Sequence, residues 1–277
     1  MQDSHPQDQE SFSEVWNHFI RHRNVFSVEA DLEALFSSLA FHRKRYQWDP
    51  SPEANELFQR FLAIFTLHAA ARPKRQVLAW TIHLQNPLLN LFLAADTDQD
   101  SVAGRFFREN VKSIQENRFY QEVSIRGGEV ARSICTFRGS DPIVAAENYY
   151  AQSEQRPARF FQTGENRFRL LLAHPDCDVR WLQSLEQKDL PHLDEEETVV
   201  FMERRPAFWH CGCVEKNLTK ILVPSFAEDP EALFAGKETL EMVCPRCAAR
   251  HTIRREAVEA AASEEQKKEP GDDASSW

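Results

Sequence analysis

The sequence of 277 residues is 42% hydrophobic and 27% charged, which is the ordinary range for a soluble globular protein. Its formal net charge of −10 disfavours a protein that coats DNA, because neutralising phosphates requires clustered Lys and Arg. It has eight glycines, and neither of the phosphate-binding motifs GxGxxG and GxxxxGK[ST] occurs.

The N-terminal segment is polar and lacks the apolar core of a signal peptide. No stretch approaches the roughly eighteen uninterrupted apolar residues that a membrane-spanning helix needs. We therefore expect a cytoplasmic protein without a membrane partner, in a compartment that keeps thiols reduced. The six cysteines are then expected to be metal ligands, redox thiols or core side chains rather than a disulfide framework.

Helix and strand patterns follow one another irregularly over residues 13–177, after a polar lead-in over 1–12. A first helix is expected after Ser27, where leucines recur at helical spacing. Ser51-Pro52 and Asp141-Pro142 each predict a helix start, since a capping side chain precedes a proline. Because helices and strands do not alternate strictly, we predict a mixed α+β fold rather than a parallel doubly wound sheet. Strands are predicted over 76–84, 88–94, 119–125, 130–137, 160–162 and 167–173, with a hairpin turn at Gly127-Gly128.

The character of the sequence changes after residue 177. Residues 178–205 are polar and acidic, as expected of a linker. A small cysteine-containing module is predicted over 206–260, and the polar residues 261–277 are predicted to be disordered.

Four cysteines form two close pairs, Cys211-Gly-Cys213 and Cys244-Pro-Arg-Cys247, separated by thirty residues. Such pairs allow a small module to close four thiolates around Zn²⁺. Gly212 lowers the steric cost of the tight first turn, and Pro245 presets the backbone of the second. We therefore predict one zinc ion per chain, bound by Cys211, Cys213, Cys244 and Cys247. The module offers too little apolar core to fold unaided, so zinc would contribute to its folding free energy.

Other interpretations of the cysteines remain open at this point. The pairs could arise by chance or form two disulfides, and His210 or His251 could replace one cysteine as a ligand. Cys135 lies within a predicted strand, and Cys177 comes just after another. Both are expected to be buried as small hydrophobic residues.

A closed four-thiolate site leaves no open position for water, so hydrolytic zinc chemistry is not expected. The sequence also has no nucleophile elbow and no HExxH motif, and we predict that the protein is not an enzyme. The zinc could be structural, could belong to a nucleic-acid-binding ribbon, or could be a redox switch, since zinc-bound thiolates react with peroxide or hypochlorous acid. A ribbon would depend on Phe208, Trp209 and basic residues that leave the module close to neutral: Arg204, Arg205, Lys216, Lys220, Arg246, Arg250, Arg254 and Arg255.

These residues resemble the heat-shock protein 33 family of redox-regulated holdase chaperones. The CxC and CxxC pairs near the C-terminal end are the hallmark of that family, and Tyr149-Tyr-Ala-Gln-Ser-Glu-Gln-Arg-Pro157 is similar to its Ser-Glu-Gln-x-Pro segment. The order of an α+β domain, an acidic linker and a zinc module also agrees.

The resemblance implies an ATP-independent chaperone that is compact and zinc-bound when reduced. On oxidation, the disulfides Cys211–Cys213 and Cys244–Cys247 would form, zinc would leave, and apolar surface would be exposed to unfolded client proteins. That surface would comprise the linker and the face of the main domain that it covers. The oxidised form would be a homodimer. The alternative is an adaptor with permanently bound zinc and a nucleic-acid or protein partner, of which nucleic acid is disfavoured by the charge.

Overall fold

The protein is described by a computed structural model over residues 11–125 and 128–266. The chain forms two compact units, of which the first ends at Cys211 and the second begins at Gly212. Within these ranges, no helix combines the length and the apolar character needed to cross a membrane. The predicted mixed α+β fold is confirmed.

A mixed sheet forms the framework of the first unit. Over the described residues it has ten strands in the order β7-β6-β3-β4-β5-β10-β1-β2-β9-β8. Neighbouring strands are antiparallel except β5 and β10, which are parallel and pair only at Phe208 and Trp209 of β10. The strands are β1 (Phe12–Ile20), β2 (Val25–Asp31), β3 (Gln76–Leu84), β4 (Leu89–Asp96), β5 (Ser101–Phe107), β6 (Asn117–Ile125), β7 (Val130–Phe137), β8 (Ala158–Gln162), β9 (Arg167–Ala173) and β10 (Val199–Trp209).

One long buried helix fills the core against this sheet. Ser51 caps it by accepting a hydrogen bond from the Ala54 amide, and its apolar residues pack into the main core beside Trp80 of β3. The helix is buried on most sides from Phe58 onward. The helices of this unit are α1 (Glu33–Arg45), α2 (Pro52–Ala70), α3 (Pro142–Tyr149), α4 (Val179–Ser184) and α5 (Leu193–Glu196).

A buried polar network follows α3, where Tyr150–Glu154 form a π-helical turn. The Glu154 carboxylate accepts hydrogen bonds from Arg72 and from the Tyr149 hydroxyl. On α2, Nδ1 of the buried His68 shares a 2.7 Å hydrogen bond with the Tyr150 hydroxyl. The segment that resembles the Ser-Glu-Gln-x-Pro signature therefore has a visible structural role, since it joins α2 and α3 through buried hydrogen bonds.

The structure corrects the sequence prediction at three places. Residues 25–31 form β2, so the first helix begins at Glu33 rather than directly after Ser27. Phe12 belongs to β1, while residues 1–10 of the predicted lead-in lie outside the described residues. Residues 199–205 of the predicted linker belong to β10, in the middle of the sheet, because their backbone pairs with β1 along its whole length.

The second unit contains a hairpin and three helices in its described part. Its buried core is small and comprises Leu218, Leu222, Phe234, Ile253 and Val258. Residues 261–266 of the predicted disordered tail form the end of its last helix, and residues 267–277 lie outside the described residues. The elements are α6 (Glu215–Glu228), α7 (Pro230–Phe234), β11 (Thr239–Val243), β12 (Arg250–Arg254) and α8 (Arg255–Gln266).

Candidate functional site

The first cysteine pair lies in the short loop between β10 and α6. Gly212 between the two cysteines has a φ of 67°, which glycine adopts without a steric penalty. Its carbonyl accepts hydrogen bonds from the Val214 amide at 2.9 Å and from the Asn217 side chain at 3.0 Å. These bonds fix the loop in a tight bend.

The second pair lies in the turn between β11 and β12. The Cys244 amide donates to the Ala249 carbonyl at 2.8 Å, and the Ala248 amide donates to the Cys244 carbonyl at 3.0 Å. The Arg246 amide lies 3.4 Å from the Cys244 sulfur and donates to it. Both cysteines of this pair are buried, whereas Cys211 and Cys213 are partly exposed.

The two turns bring four sulfur atoms together, and all of them lie within 4.8 Å of one another. The sulfurs of Cys213 and Cys247 are 3.4 Å apart. A zinc ion with four thiolates at about 2.3 Å spaces its ligands about 3.8 Å apart, so the arrangement fits a tetrahedral ion. The chemistry of the donors agrees, because four thiolates favour a soft or borderline ion such as zinc over calcium or magnesium.

The structure also tests the other interpretations of the cysteines. All six lie in the described residues and none is in a disulfide. Within the described ranges, the group of neighbouring ligand atoms consists of the four cysteines and includes neither His210 nor His251. Burial raises the pKa of the Cys135 thiol to about 11, and Cys135 packs in the main core as expected. Cys177 is partly buried against a second apolar cluster, and burial raises the pKa of its thiol as well.

Several of the basic residues considered for a nucleic-acid ribbon form ion pairs with acidic residues of this chain. Arg205 is buried in β10, where it pairs with Asp100 at 2.7 Å and donates to the carbonyls of Ala70, Arg72 and Thr97. Its position in a strand next to charged neighbours made it look like a surface residue in the sequence. Three further arginines pair with acids: Arg204 with Glu14, Arg254 with Glu256, and Arg255 with Glu231 and Glu259.

Residues 178–197, which we call the strap, pack on one end of the sheet. Four of its leucines are buried against Ile20, Val25, Phe161, Leu171 and Ala173 of the strands. Those leucines stand at irregular spacing among acidic residues, so their pattern did not predict an amphipathic helix. The strap leucines are Leu182, Leu185, Leu190 and Leu193.

Arginines of the first unit fix the strap by its polar groups. Arg159 donates to the Gln183 carbonyl at 2.9 Å, near the C-terminal end of α4. Arg169, which is buried on β9, donates to Asp194 at 2.8 Å. The apolar contact and these polar contacts together hold an acidic segment over an apolar part of the sheet.

The same face of the sheet continues into exposed aromatic side chains. Trp16 and Ile20 are both even-numbered residues of β1, whose pairing with β2 is regular, so they share a face. The Trp16 and Phe201 rings lie 6.0 Å apart, and both side chains are exposed. The rings of Phe12, which is exposed, and Phe208, which is partly buried, lie 5.3 Å apart. The strap therefore covers one end of an apolar face whose remainder is in part open to solvent.

No family model matches this chain, but known proteins are similar to it in sequence and in fold. The 33 kDa chaperonin of Proteus mirabilis (strain HI4320) is 26% identical over 167 residues, which are 49% of this chain and 56% of that protein. The chain therefore matches about half the length of this curated relative.

The second similar protein is the 33 kDa chaperonin (heat shock protein 33 homolog) of Thermotoga maritima, whose crystal structure superposes with a TM-score of 0.69 at 14% sequence identity. The match covers 94% of this chain and all of the other, and it shows a shared fold. The resemblance predicted from the sequence is confirmed by these two similarities. Both of these proteins are named as chaperones rather than as enzymes.

Proposed function

We propose that this protein is a cytoplasmic, ATP-independent holdase chaperone that is switched on by oxidation of a four-cysteine zinc site and has no enzymatic activity. The observation that carries the proposal is the group of four sulfurs within 4.8 Å of one another, three of which belong to a unit with a small apolar core. Zinc would supply there the bonds that the core lacks, so its loss would unfold the unit. Similarity to two proteins named as 33 kDa chaperonins supports the choice of a chaperone.

Cys211, Cys213, Cys244 and Cys247 would hold the ion as thiolates, which makes the same atoms the targets of an oxidant. Following the family resemblance, the disulfides would be Cys211–Cys213 and Cys244–Cys247. Each forms when two thiolates lose two electrons to the oxidant; hypochlorous acid takes up those electrons and a proton and becomes chloride and water. The more exposed pair, Cys211 and Cys213, is expected to react first.

Opening of the strap would expose the client-binding surface. Release of the four leucines uncovers the apolar residues of β1, β2, β8 and β9 beneath them. This newly exposed patch would extend the aromatic surface at Trp16 and Phe201. Unfolded proteins expose apolar side chains in no fixed sequence, and a broad apolar face suits such clients. We propose a homodimer as the oxidised, active form.

The alternative function, an adaptor with permanently bound zinc and a nucleic-acid or protein partner, is less well supported. Arg204, Arg205, Arg254 and Arg255 pair with acids and are thereby neutralised. A nucleic-acid interface requires basic groups that face phosphates.

The test uses the reduced, zinc-loaded chain treated with hypochlorous acid. We expect stoichiometric zinc release, recorded with a chromogenic chelator, together with suppression of the aggregation of a heat-unfolded client. A Cys177→Ser variant is the matched control and should respond as the native chain does, because Cys177 is outside the sulfur group. Zinc that stays bound, or zinc that leaves without any gain in client protection, would exclude the switch. Reduced protein that binds nucleic acid in a salt-dependent manner would favour the adaptor.

A further inference from the structure

One guanidinium group contacts both ends of the strap. Arg23 lies in the 3-10 turn that joins β1 to β2. Its Nη1 donates to Asp178 Oδ2 at 2.8 Å, and its Nε donates to Glu197 Oε1 at 2.8 Å. Asp178 and Glu197 are the first and last residues of the strap, so a single side chain ties together positions nineteen residues apart in sequence.

Local contacts hold this arginine in place. Its guanidinium lies 5.0 Å from the centre of the Trp181 ring, over the first turn of α4. The other Asp178 oxygen, Oδ1, accepts from the Trp181 amide at 3.1 Å and thereby caps α4. The backbone adds two bonds at the same ends, from the Asp178 amide to the Arg23 carbonyl and from the Arg21 amide to the Thr198 carbonyl.

We propose that Arg23 is a positioning residue that holds both ends of the strap in the closed position. It thereby determines how readily the strap opens while zinc is still bound. The inference rests on the proposed function only in its last step, where opening leads to client binding. The side-chain hydrogen bonds of Arg23 go to the two ends of the strap, whereas the leucines that cover the sheet lie between those ends. It acts by keeping both ends of the covering segment on the β1–β2 turn.

Charge supports this assignment. The strap contains seven acidic and two basic residues, so its own charges repel and favour an extended, open segment. Two arginines of the first unit, Arg23 and Arg169, pair with strap carboxylates and oppose that repulsion, and of these two Arg23 is the one that bridges two carboxylates. The hydrogen bond to Glu197 is the main cause of the raised pKa of Arg23. The Glu197 side chain is 11% exposed, so removing its partner would leave a largely buried carboxylate without a counter-charge.

The geometry also distinguishes arginine from lysine at this position. The two bonds leave the guanidinium from different nitrogens, Nε and Nη1, in a planar fork. A lysine ammonium is a single point donor at the end of a flexible chain and cannot reproduce both bonds with the same geometry. Arg23→Lys should therefore keep the charge and lose most of the bridging.

The first experiment measures strap opening directly, by amide hydrogen exchange over residues 182–193 in the reduced, zinc-loaded full chain. Arg23→Ala should exchange roughly tenfold or more faster there, since two charge-assisted hydrogen bonds are lost from a partly screened site. Arg23→Lys should lie between the alanine variant and the native chain. Arg167→Ala is the control: Arg167 pairs with Asp31 on the same sheet, is well exposed, and should leave strap exchange unchanged.

The second measurement separates this inference from the proposed function. Zinc content should stay at one per chain in Arg23→Ala, and client aggregation should be suppressed without any oxidant. Native-like exchange over 182–193 in Arg23→Ala would overturn the proposed positioning role of Arg23. Rapid strap exchange without client binding would instead overturn the proposed function, while the positioning role of Arg23 would still hold.

A gentler variant covers the case in which Arg23→Ala fails to fold. Glu197→Gln keeps the shape and removes one charge, so it should raise strap exchange by a smaller factor while the β3 and β4 amides keep native protection. In the double variant with Arg23→Lys the effects should be less than additive, because both changes remove the same ion pair. Full additivity would mean that the two side chains act independently, and this would also overturn the positioning role of Arg23.

Discussion

The two units of this chain are stabilised in different ways. The sheet unit has a continuous core in which α2 packs against the strands, with Trp80 and Phe65 fully buried at its centre. The described part of the second unit buries a handful of apolar side chains, and three of the four clustered cysteines belong to it. A large core tolerates the loss of any single contact, whereas a small unit that depends on one metal site is lost with it. Under the proposed function, this difference suits the second unit to act as a sensor.

Removing the metal site should produce the largest effect, confined to the second unit. In Cys244→Ser, or after chelation of zinc from the reduced chain, we expect protection against hydrogen exchange to disappear over α6 and β12. The β3 and β4 amides of the sheet unit should keep theirs. Cys135→Ser is the control, since Cys135 lies in the sheet core and should leave zinc binding intact. Native protection of α6 without zinc would show that the second unit folds unaided.

A cavity in the core of the sheet unit should destabilise that unit and leave the second unit unaffected, in contrast to removal of the metal site. Phe65→Ala removes a fully buried ring that lies 5.0 Å from Trp80, and should lower the free energy of unfolding of that unit by about 3–5 kcal/mol. Zinc affinity should stay unchanged, and tryptophan fluorescence on denaturant titration measures the loss. If zinc affinity fell together with stability, the two units would not be energetically separate.

His68 should make the stability of the sheet unit depend on pH. Burial lowers its pKa well below the usual value, with a smaller contribution from Arg72, so the ring is neutral in the folded state. Below about pH 6.5 the unfolded chain takes up a proton that the folded chain does not, and stability falls by up to about 1.4 kcal/mol per pH unit. Between pH 6.5 and 5, a His68→Gln variant should show a shallower decline in its urea midpoint. Parallel curves would assign the acid sensitivity to other groups.

An exposed ion pair should have the smallest effect. Arg132 and Glu122 pair at 2.8 Å on neighbouring strands, with both side chains open to solvent. Arg132→Ala should change the unfolding free energy by about 0.5 kcal/mol or less, because water and salt screen such a pair. A thermal melt of the zinc-loaded chain measures this. A larger loss would show that this region of the sheet depends on surface charge.

The sequence predicted local features well and long-range partners poorly. Strand β3 was predicted with its observed bounds because apolar residues line it, and the caps of α2 and α3 are set by adjacent residues. β10 was missed because Glu203, Arg204 and Arg205 look like a polar segment. Arg205 is buried only because Asp100, over one hundred residues earlier, lies opposite it.

The candidate site shows the same division. The four cysteines could be grouped from spacing alone, because each pair is a local turn that aims two sulfurs at one point. The position of the strap could not be predicted, because the apolar surface that it covers is formed only where β1, β2, β8 and β9 meet in one sheet. Arg23 carried no signal in the sequence, and only the fold brings it beside Asp178 and Glu197.

The position of β10 has a consequence for synthesis of the chain. β1 and β5 do not pair with each other, so β10 is the strand that joins the four strands β1, β2, β8 and β9 to the five strands β3 to β7. On a ribosome, the two halves of the sheet remain unjoined until residue 209 has left the exit tunnel. The first cysteine pair follows within four residues. A nascent chain therefore completes its framework and presents the first cysteine pair of the sulfur group at almost the same moment, which leaves little time for that pair to meet oxidant beside an unfinished sheet.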